Sequence, residues 1–221
     1  MLVARKREKL SRKEREHLFR RKNMLDAALK LFAAKGYEGT SMQEISALSE
    51  FSIGTLYNFF STKEELYLTL IEEKFRESHQ WIKERVSRRT GSLARVEAAV
   101  EALLTFMENN REFFNLFLSI HLLPDRSKVN KGIYQKIIKY YEKHIEYFCG
   151  LMKECVREGV LKDYEPSELA MALIGITNEW IYNWLKGPDD KNLREQHKRI
   201  VELFLNGAGR SPGKGRKLIN A

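Results

Sequence analysis

The stretch "SEFSIGTLYNFFSTKEEL", residues 49–66, decides how this chain is read. Phe51, Ile53, Leu56, Tyr57, Phe59 and Phe60 crowd into ten positions, and the run Ser61-Thr62-Lys63-Glu64-Glu65 then reads as a new helix start. Ser52 is a helix cap, and so is Thr62 with Glu65 three residues on, which leaves room for a helix of only residues 53–59. Within it Leu56 and Phe60 are four apart and can anchor one side to a core. Gly54, Tyr57 and Asn58 fall on another face, with Ile53 and Thr55 near the leading end.

Upstream, Ser41 with Glu44 makes a capping box that opens a second short helix, in which Ile45 and Leu48 are expected to face inward. Two short helices joined by "LSEFS" have helix-turn-helix geometry: the first braces and the second projects. The projecting end carries free backbone N–H groups and the positive pole of the helix dipole, both suited to phosphate.

The rest of the chain has helical periodicity throughout and no strand-like alternation of useful length. A first helix starts in the basic N-terminal segment, carries an apolar stripe of Met24, Ala28, Leu31 and Phe32, and stops at Gly36. A fourth helix is expected from Thr62 to about 88. Others follow over 93–109, 111–123, 127–158, from Pro166 to Gly187, and 190–206. The expected class is all-α, with about nine helices. Residues 1–17 form a basic extension, 18–78 a helix-turn-helix domain with its motif at 41–60, 79–207 a larger helical domain, and 208–221 a basic tail.

Charge supports that division. The formal net charge of the 221 residues is +9, but residues 1–63 hold 13 basic against 7 acidic side chains, and residues 208–221 hold four basic and no acidic ones. The 144 residues between them are nearly neutral, so the basic excess lies at the two ends. Hydrophobic content of 43% and only four prolines fit a folded chain. No apolar run approaches the ~20 residues needed to span a bilayer, and no secretory signal is evident. Cys149 and Cys155 are six apart on one expected helix and point to different faces, which implies unpaired thiols in a reducing cytoplasm.

The segment "LDAALKLFAAKGYEGTSMQEISALSEFSIGTLYNFFSTKEELYLTLI" resembles the DNA-binding domain of the TetR family of transcriptional regulators, over roughly residues 18–78. The alanine-rich first helix ending in Phe-x-x-x-Gly, the "GTS" that precedes the second helix, and "GTLYNFFSTKEEL" carry the resemblance. It implies an all-helical homodimer that binds double-stranded operator DNA, most often as a repressor. A variable C-terminal domain would take a small-molecule effector. Thr40 and Ser41 would then sit where the second helix meets the DNA backbone. Ser52, Ile53, Gly54, Thr55, Tyr57, Asn58 and Phe59 would make up the reading helix, and Lys63 would hold a phosphate. Gly54 lets backbone approach DNA, Asn58 can pair with a base edge, and Ile53 can pack on a thymine methyl. Glu50 stands where the family usually has a glycine, which implies a strained backbone there, and Phe59 stands where a hydrogen-bonding side chain is common. The basic extension could enter the minor groove or be a solvated lead into the first helix.

For the C-terminal domain the residues offer composition. "LAMALIGITNEWIYNWLK" is apolar around most of its circumference, so it is expected to be buried on several sides, and a four-helix dimer interface through the last two helices accounts for that. Phe106, Phe113, Phe117, His121, Tyr141, His144, Phe148, Asn178, Glu179 and Trp180 are the candidate effector-pocket residues. Glu179 could receive a cation or instead make an interhelical or cross-dimer hydrogen bond. No ligand-spaced metal set, catalytic triad, Cys/His pair or Gly-rich phosphate loop is present, so no metal, cofactor or enzymatic role is expected. The alternative function is an enzyme or lipophile carrier that uses the aromatic pocket.

Overall fold

The computed structural model describes residues 10–121, 131–187 and 192–208, and the side chains at 118–121, 131 and 208 are outside that description. Among the described residues there are nine α-helices, one 3-10 turn and no strand. The helices are α1 (Arg12–Lys35), α2 (Met42–Ser49), α3 (Ile53–Phe59), α4 (Lys63–Val86), α5 (Ser92–Glu108), α6 (Arg111–His121), α7 (Lys131–Arg157), α8 (Pro166–Lys186) and α9 (His197–Ala208). The ninth starts later than the expected residue 190; a 3-10 turn over Arg194–Gln196 precedes it, and 188–191 lie outside the described residues.

Local chemistry sets most helix ends. Ser11 and Glu14 close a capping box on α1, each side chain accepting from the other's backbone N–H. Ser41 and Glu44 do the same for α2. Ser52 Oγ accepts from Thr55 N at the start of α3, and Thr62 Oγ1 accepts from Glu65 N at the start of α4. Gly36 ends α1 with φ 73°, a left-handed value that suits a residue without Cβ.

The chain divides into two compact units. The first comprises Met1–Lys74 and Arg111–Ile138. In it α1 packs on α2 and α6, and α2 packs on α3. Its core joins Met24, Ala28 and Phe32 of α1 to Ile45, Leu56, Phe60, Leu66 and Tyr67, with Phe113 and Phe114 of α6 equally buried. Phe32 meets the Tyr67 ring edge-on at 4.9 Å, a favoured aromatic arrangement. Leu48, expected inward, is 49% exposed. The inward stripe of α2 runs through Met42, Ile45, Ser46 and Ser49, which leaves Leu48 off its edge.

The second unit comprises Phe75–Asn110 and Lys139–Ala221. There α9 packs on α5 and α8 around Leu103, Leu104, Leu173, Ile174, Ile181, Ile200 and Phe204, all buried. In α8, Leu169, Ala170, Leu173, Ile174, Thr177, Ile181 and Trp184 are buried. Its opposite face stays open in the single chain, with Met171 56% exposed and Ala172 and Gly175 also exposed. Burial on several sides is therefore not reached within one protomer. No helix among the described residues is long and apolar enough to cross a membrane.

Candidate nucleic-acid interface

Helix α3 has one deep anchor and an exposed outer face. Leu56 is its only fully buried residue, and Phe60 just past its end is 2% exposed. Gly54 and Asn58 are exposed, and Tyr57 is 46% exposed. Ile53 and Thr55 are half-buried near the start, where the Thr55 hydroxyl lies 2.8 Å from that of Ser52. A Cβ added to Gly54 would meet nothing within 4 Å. Neither packing nor backbone conformation of this chain demands a glycine there.

The turn before α3 is held by Glu50, whose φ of 61° and ψ of 28° are left-handed. It is the one non-glycine residue with positive φ among those described, so the strain expected at this position is present. Its N–H donates back to Ala47 and Ser46, closing α2 as a glycine would.

Three expected contact residues are committed to the fold. Thr40 is 2% exposed, and its hydroxyl donates to Gly36 O at 2.8 Å, so that side chain has no proton to offer a phosphate. Ser41 Oγ donates to Glu44 Oε2 at 2.9 Å and accepts from Glu44 N. Lys63 Nζ donates to Tyr37 O at 2.8 Å and Thr40 O at 3.0 Å, and lies 4.3 Å from the centre of the Tyr37 ring. That ammonium clamps the α1–α2 loop to the start of α4 with two of its three donors. Glu44 also pairs with Lys35, and these partners hold its carboxyl down to about 2.

Phe59 does not point into open solvent. It stacks on His17 of α1, ring centres 4.4 Å apart. Arg20 of the same helix lies 6.0 Å from the Phe51 ring, and Arg21 pairs with Glu73 and lies 5.6 Å from the Phe60 ring. The leading turns of α1 therefore brace the helix-turn-helix motif, a role the sequence pattern of the motif itself does not display. A signal for it lies upstream: His17, Arg21, Met24 and Ala28 continue the inward stripe at helical spacing. Of the basic extension, residues 1–9 lie outside the described residues, and from Arg12 onward it is helix. The expected basic tail lies outside them as well from residue 209.

The candidate pocket residues are divided between the two units. Phe113 and Phe117 are buried in the first unit, where α6 packs on α1. The His121 side chain lies outside the described residues. Phe106, Tyr141, His144, Phe148, Asn178 and Trp180 belong to the second unit. There Asn178 Nδ2 donates to Tyr141 Oη at 3.4 Å, and burial raises the Tyr141 phenol above its ordinary value. Glu179 is exposed, and its carboxylate accepts from Asn183 one turn along α8 at 3.0 Å. Within one chain it is not a buried counter-charge, because the open face of α8 carries it to the surface. Among the described residues no cluster of three His, Cys, Asp or Glu side chains could hold a metal ion.

Residues 24–70 match the family model described as bacterial regulatory proteins, tetR family. The HTH-type transcriptional regulator QacR of Staphylococcus aureus is 39% identical over 209 residues, covering 83% of this chain and 95% of that protein. The chain belongs to the TetR family. Among solved structures, the fatty acid degradation regulator FadR of Bacillus halodurans superposes with a TM-score of 0.76 at 18% identity, covering 85% of this chain and 95% of that one. FadR of Bacillus subtilis, solved in complex with stearoyl-CoA, gives a TM-score of 0.73 at 18% identity, covering 84% and 97%. The protein is a DNA-binding transcriptional regulator of this family.

Proposed function

We propose that the protein is an effector-responsive repressor that reads a palindromic operator as a homodimer, with an acyl thioester as effector. The observation that carries the DNA-reading part is the outer face of α3. Gly54, Tyr57 and Asn58 stand exposed on a helix whose only deep anchor is Leu56, and Gly54 is a glycine no contact in the chain requires. Ile53, Tyr57 and Asn58 would meet base edges or phosphates, with Ser52 and Thr55 at the backbone. Lys63 would add its remaining donor to a phosphate while holding the loop.

The open faces of α8 and α9 support a second copy of the chain as partner. Met171 and Leu203 are 56% and 46% exposed on adjacent packed helices, an apolar surface that a two-fold mate would cover. Two heads about one helical turn of DNA apart then match two half-sites. The acyl thioester is supported by the fold shared with a regulator that binds stearoyl-CoA and by the aromatic interior of the second unit. Effector would favour a head spacing that no longer fits both half-sites, a population shift between two states.

The test is selection of a duplex from a random library, followed by anisotropy titration with the native protein and an Ile53→Ala/Asn58→Ala variant. The variant should stay folded and dimeric but lose preference for the selected duplex over random DNA. Added stearoyl-CoA should release the native protein. Unchanged sequence preference in the variant rejects the reading face, and a monomer at working concentration rejects the dimer.

A further inference from the structure

Among the described residues, four buried side-chain polar atoms of the second unit have no hydrogen-bond partner: Ser78 Oγ, Ser92 Oγ, His144 Nδ1 and Asn192 Oδ1. Two of them lie along one helix–helix contact. Ser78 on α4 is 2% exposed and His144 on α7 is 6% exposed. Neither Ser78 Oγ nor His144 Nδ1 meets a hydrogen-bonding group of the protein. Buried polar atoms are nearly always paired, and each one left alone in an apolar interior is costly.

The two lie on one shared strip. Phe75 of α4 meets Tyr140 of α7 with ring centres 6.4 Å apart, and His79 meets Tyr147 at 5.1 Å. The two helices therefore run in the same sense along this contact. Ser78 follows Phe75 by three positions and precedes His79, while His144 follows Tyr140 by four and precedes Tyr147 by three. Both fall between the two ring pairs, within about one turn of each. One turn further along lie Ile82 on α4 and Phe148 on α7, each fully buried, with the Phe148 ring 5.1 Å from that of His144.

The chemistry of the strip selects its ligand. Burial, with a smaller contribution from His79, pulls His144 down to about 4, so its imidazole is neutral near pH 7. A neutral imidazole N–H and a hydroxyl can both donate to one oxygen, and a carbonyl oxygen has two lone pairs to receive them. No charged side chain pairs with either atom, so a carboxylate or ammonium would enter without the counter-charge it needs. We infer that Ser78 and His144 are the polar anchor of the effector site and take the uncharged carbonyl oxygen of an acyl thioester, with the apolar chain lying along Ile82 and Phe148. This rests on the effector-responsive reading above and assigns its chemistry to two atoms.

The test compares stearoyl-CoA with its S-octadecyl thioether, which lacks the carbonyl, as agents that release the native protein from the selected duplex. The thioester should act at a concentration at least tenfold lower. A Ser78→Ala/His144→Leu variant, with both unpaired polar atoms replaced by apolar groups, should bind the duplex like the native protein and melt no lower. Its preference for thioester over thioether should fall within twofold. The milder Ser78→Ala variant should lose about half of the preference on a logarithmic scale. Equal potency of the two compounds on the native protein overturns the anchor and leaves effector response standing. A retained preference in the double variant, or in Ser78→Ala should the double variant not fold, overturns it too. If neither compound releases the duplex, the acyl-thioester reading itself fails.

Discussion

Glu50 offers the sharpest test of how the helix-turn-helix is built. Its left-handed backbone, φ 61° and ψ 28°, costs a residue with Cβ roughly 1–2 kcal/mol relative to glycine. Glu50→Gly removes that cost but loosens the unfolded chain by about 0.4–1 kcal/mol, so the net gain should be roughly 0–1.5 kcal/mol. Glu50→Asn keeps Cβ and tolerates this region, and should stabilise by about 0.5–1 kcal/mol without the unfolded-state loss. In a chain of this size that is a rise of roughly 1–4 °C in Tm. Glu50→Val, β-branched, should lower stability by about 1 kcal/mol or more. Glu50→Gln separates charge from backbone: stability should stay within about 0.3 kcal/mol, because the side chain is exposed and only its charge changes. A charge about 8 Å from a phosphate in water is worth roughly 0.5 kcal/mol, so Glu50→Gln should bind DNA about twofold tighter at low salt and lose that gain as salt rises. Urea unfolding followed by circular dichroism gives the stabilities, and anisotropy at several salt concentrations gives the affinities. If Glu50→Gln stabilises as much as Glu50→Asn, like-charge repulsion and not backbone strain sets the cost, and the reasoning is wrong.

Lys63→Ala removes two charge-assisted hydrogen bonds and should cost roughly 2 kcal/mol in urea unfolding, while weakening binding to all duplexes alike and shallowing its salt dependence. A variant that binds weakly but unfolds like the native protein would show that Lys63 serves DNA alone. His17→Ala should reduce discrimination between selected and random duplex by leaving Phe59 unstacked, and His17→Phe should restore it, as read by competition anisotropy. Acid should weaken the helix-turn-helix through Glu44. Its carboxyl is held down from 4.5 to about 2, so its contribution is whole above pH 4.5 and is lost as pH falls through about 2; Glu44→Gln should flatten that dependence in acid unfolding. His144 acts over a higher range. Its folded value of about 4 lies below the ordinary 6.5, so stability should be greatest above pH 6.5 and decline towards pH 4, with His79 the titrating neighbour facing it. His144→Leu should remove most of that decline in urea midpoints measured at each pH.

The parts of the fold legible in the sequence are those fixed by residues three or four apart. Ser41 with Glu44, Ser52 with Thr55, and Thr62 with Glu65 each close a helix end through a local bond, and the spacing of the residue types is enough to display it. The strain at Glu50 is legible for the same reason, since the turn is local. What cannot be read that way depends on distant partners. Lys63 is engaged by carbonyls 26 and 23 positions upstream, and Phe59 by a ring 42 positions upstream, so neither assignment is visible in a window of ten residues. Glu179 is hard to place from the sequence for another reason. It lies on a helix apolar around most of its circumference, and composition does not say which side of such a helix the single chain leaves open.

The anchoring of α3 through Leu56 has a consequence for how such a protein diversifies. Positions 53, 54, 57 and 58 bear little of the weight of folding, so they can be exchanged while the head keeps its shape. On the proposed reading of α3, a duplicated copy of this gene could drift to a new target by changing those few codons, with the scaffold losing little in stability. A library randomised at those four sites should therefore yield mostly foldable proteins, differing in the DNA they choose.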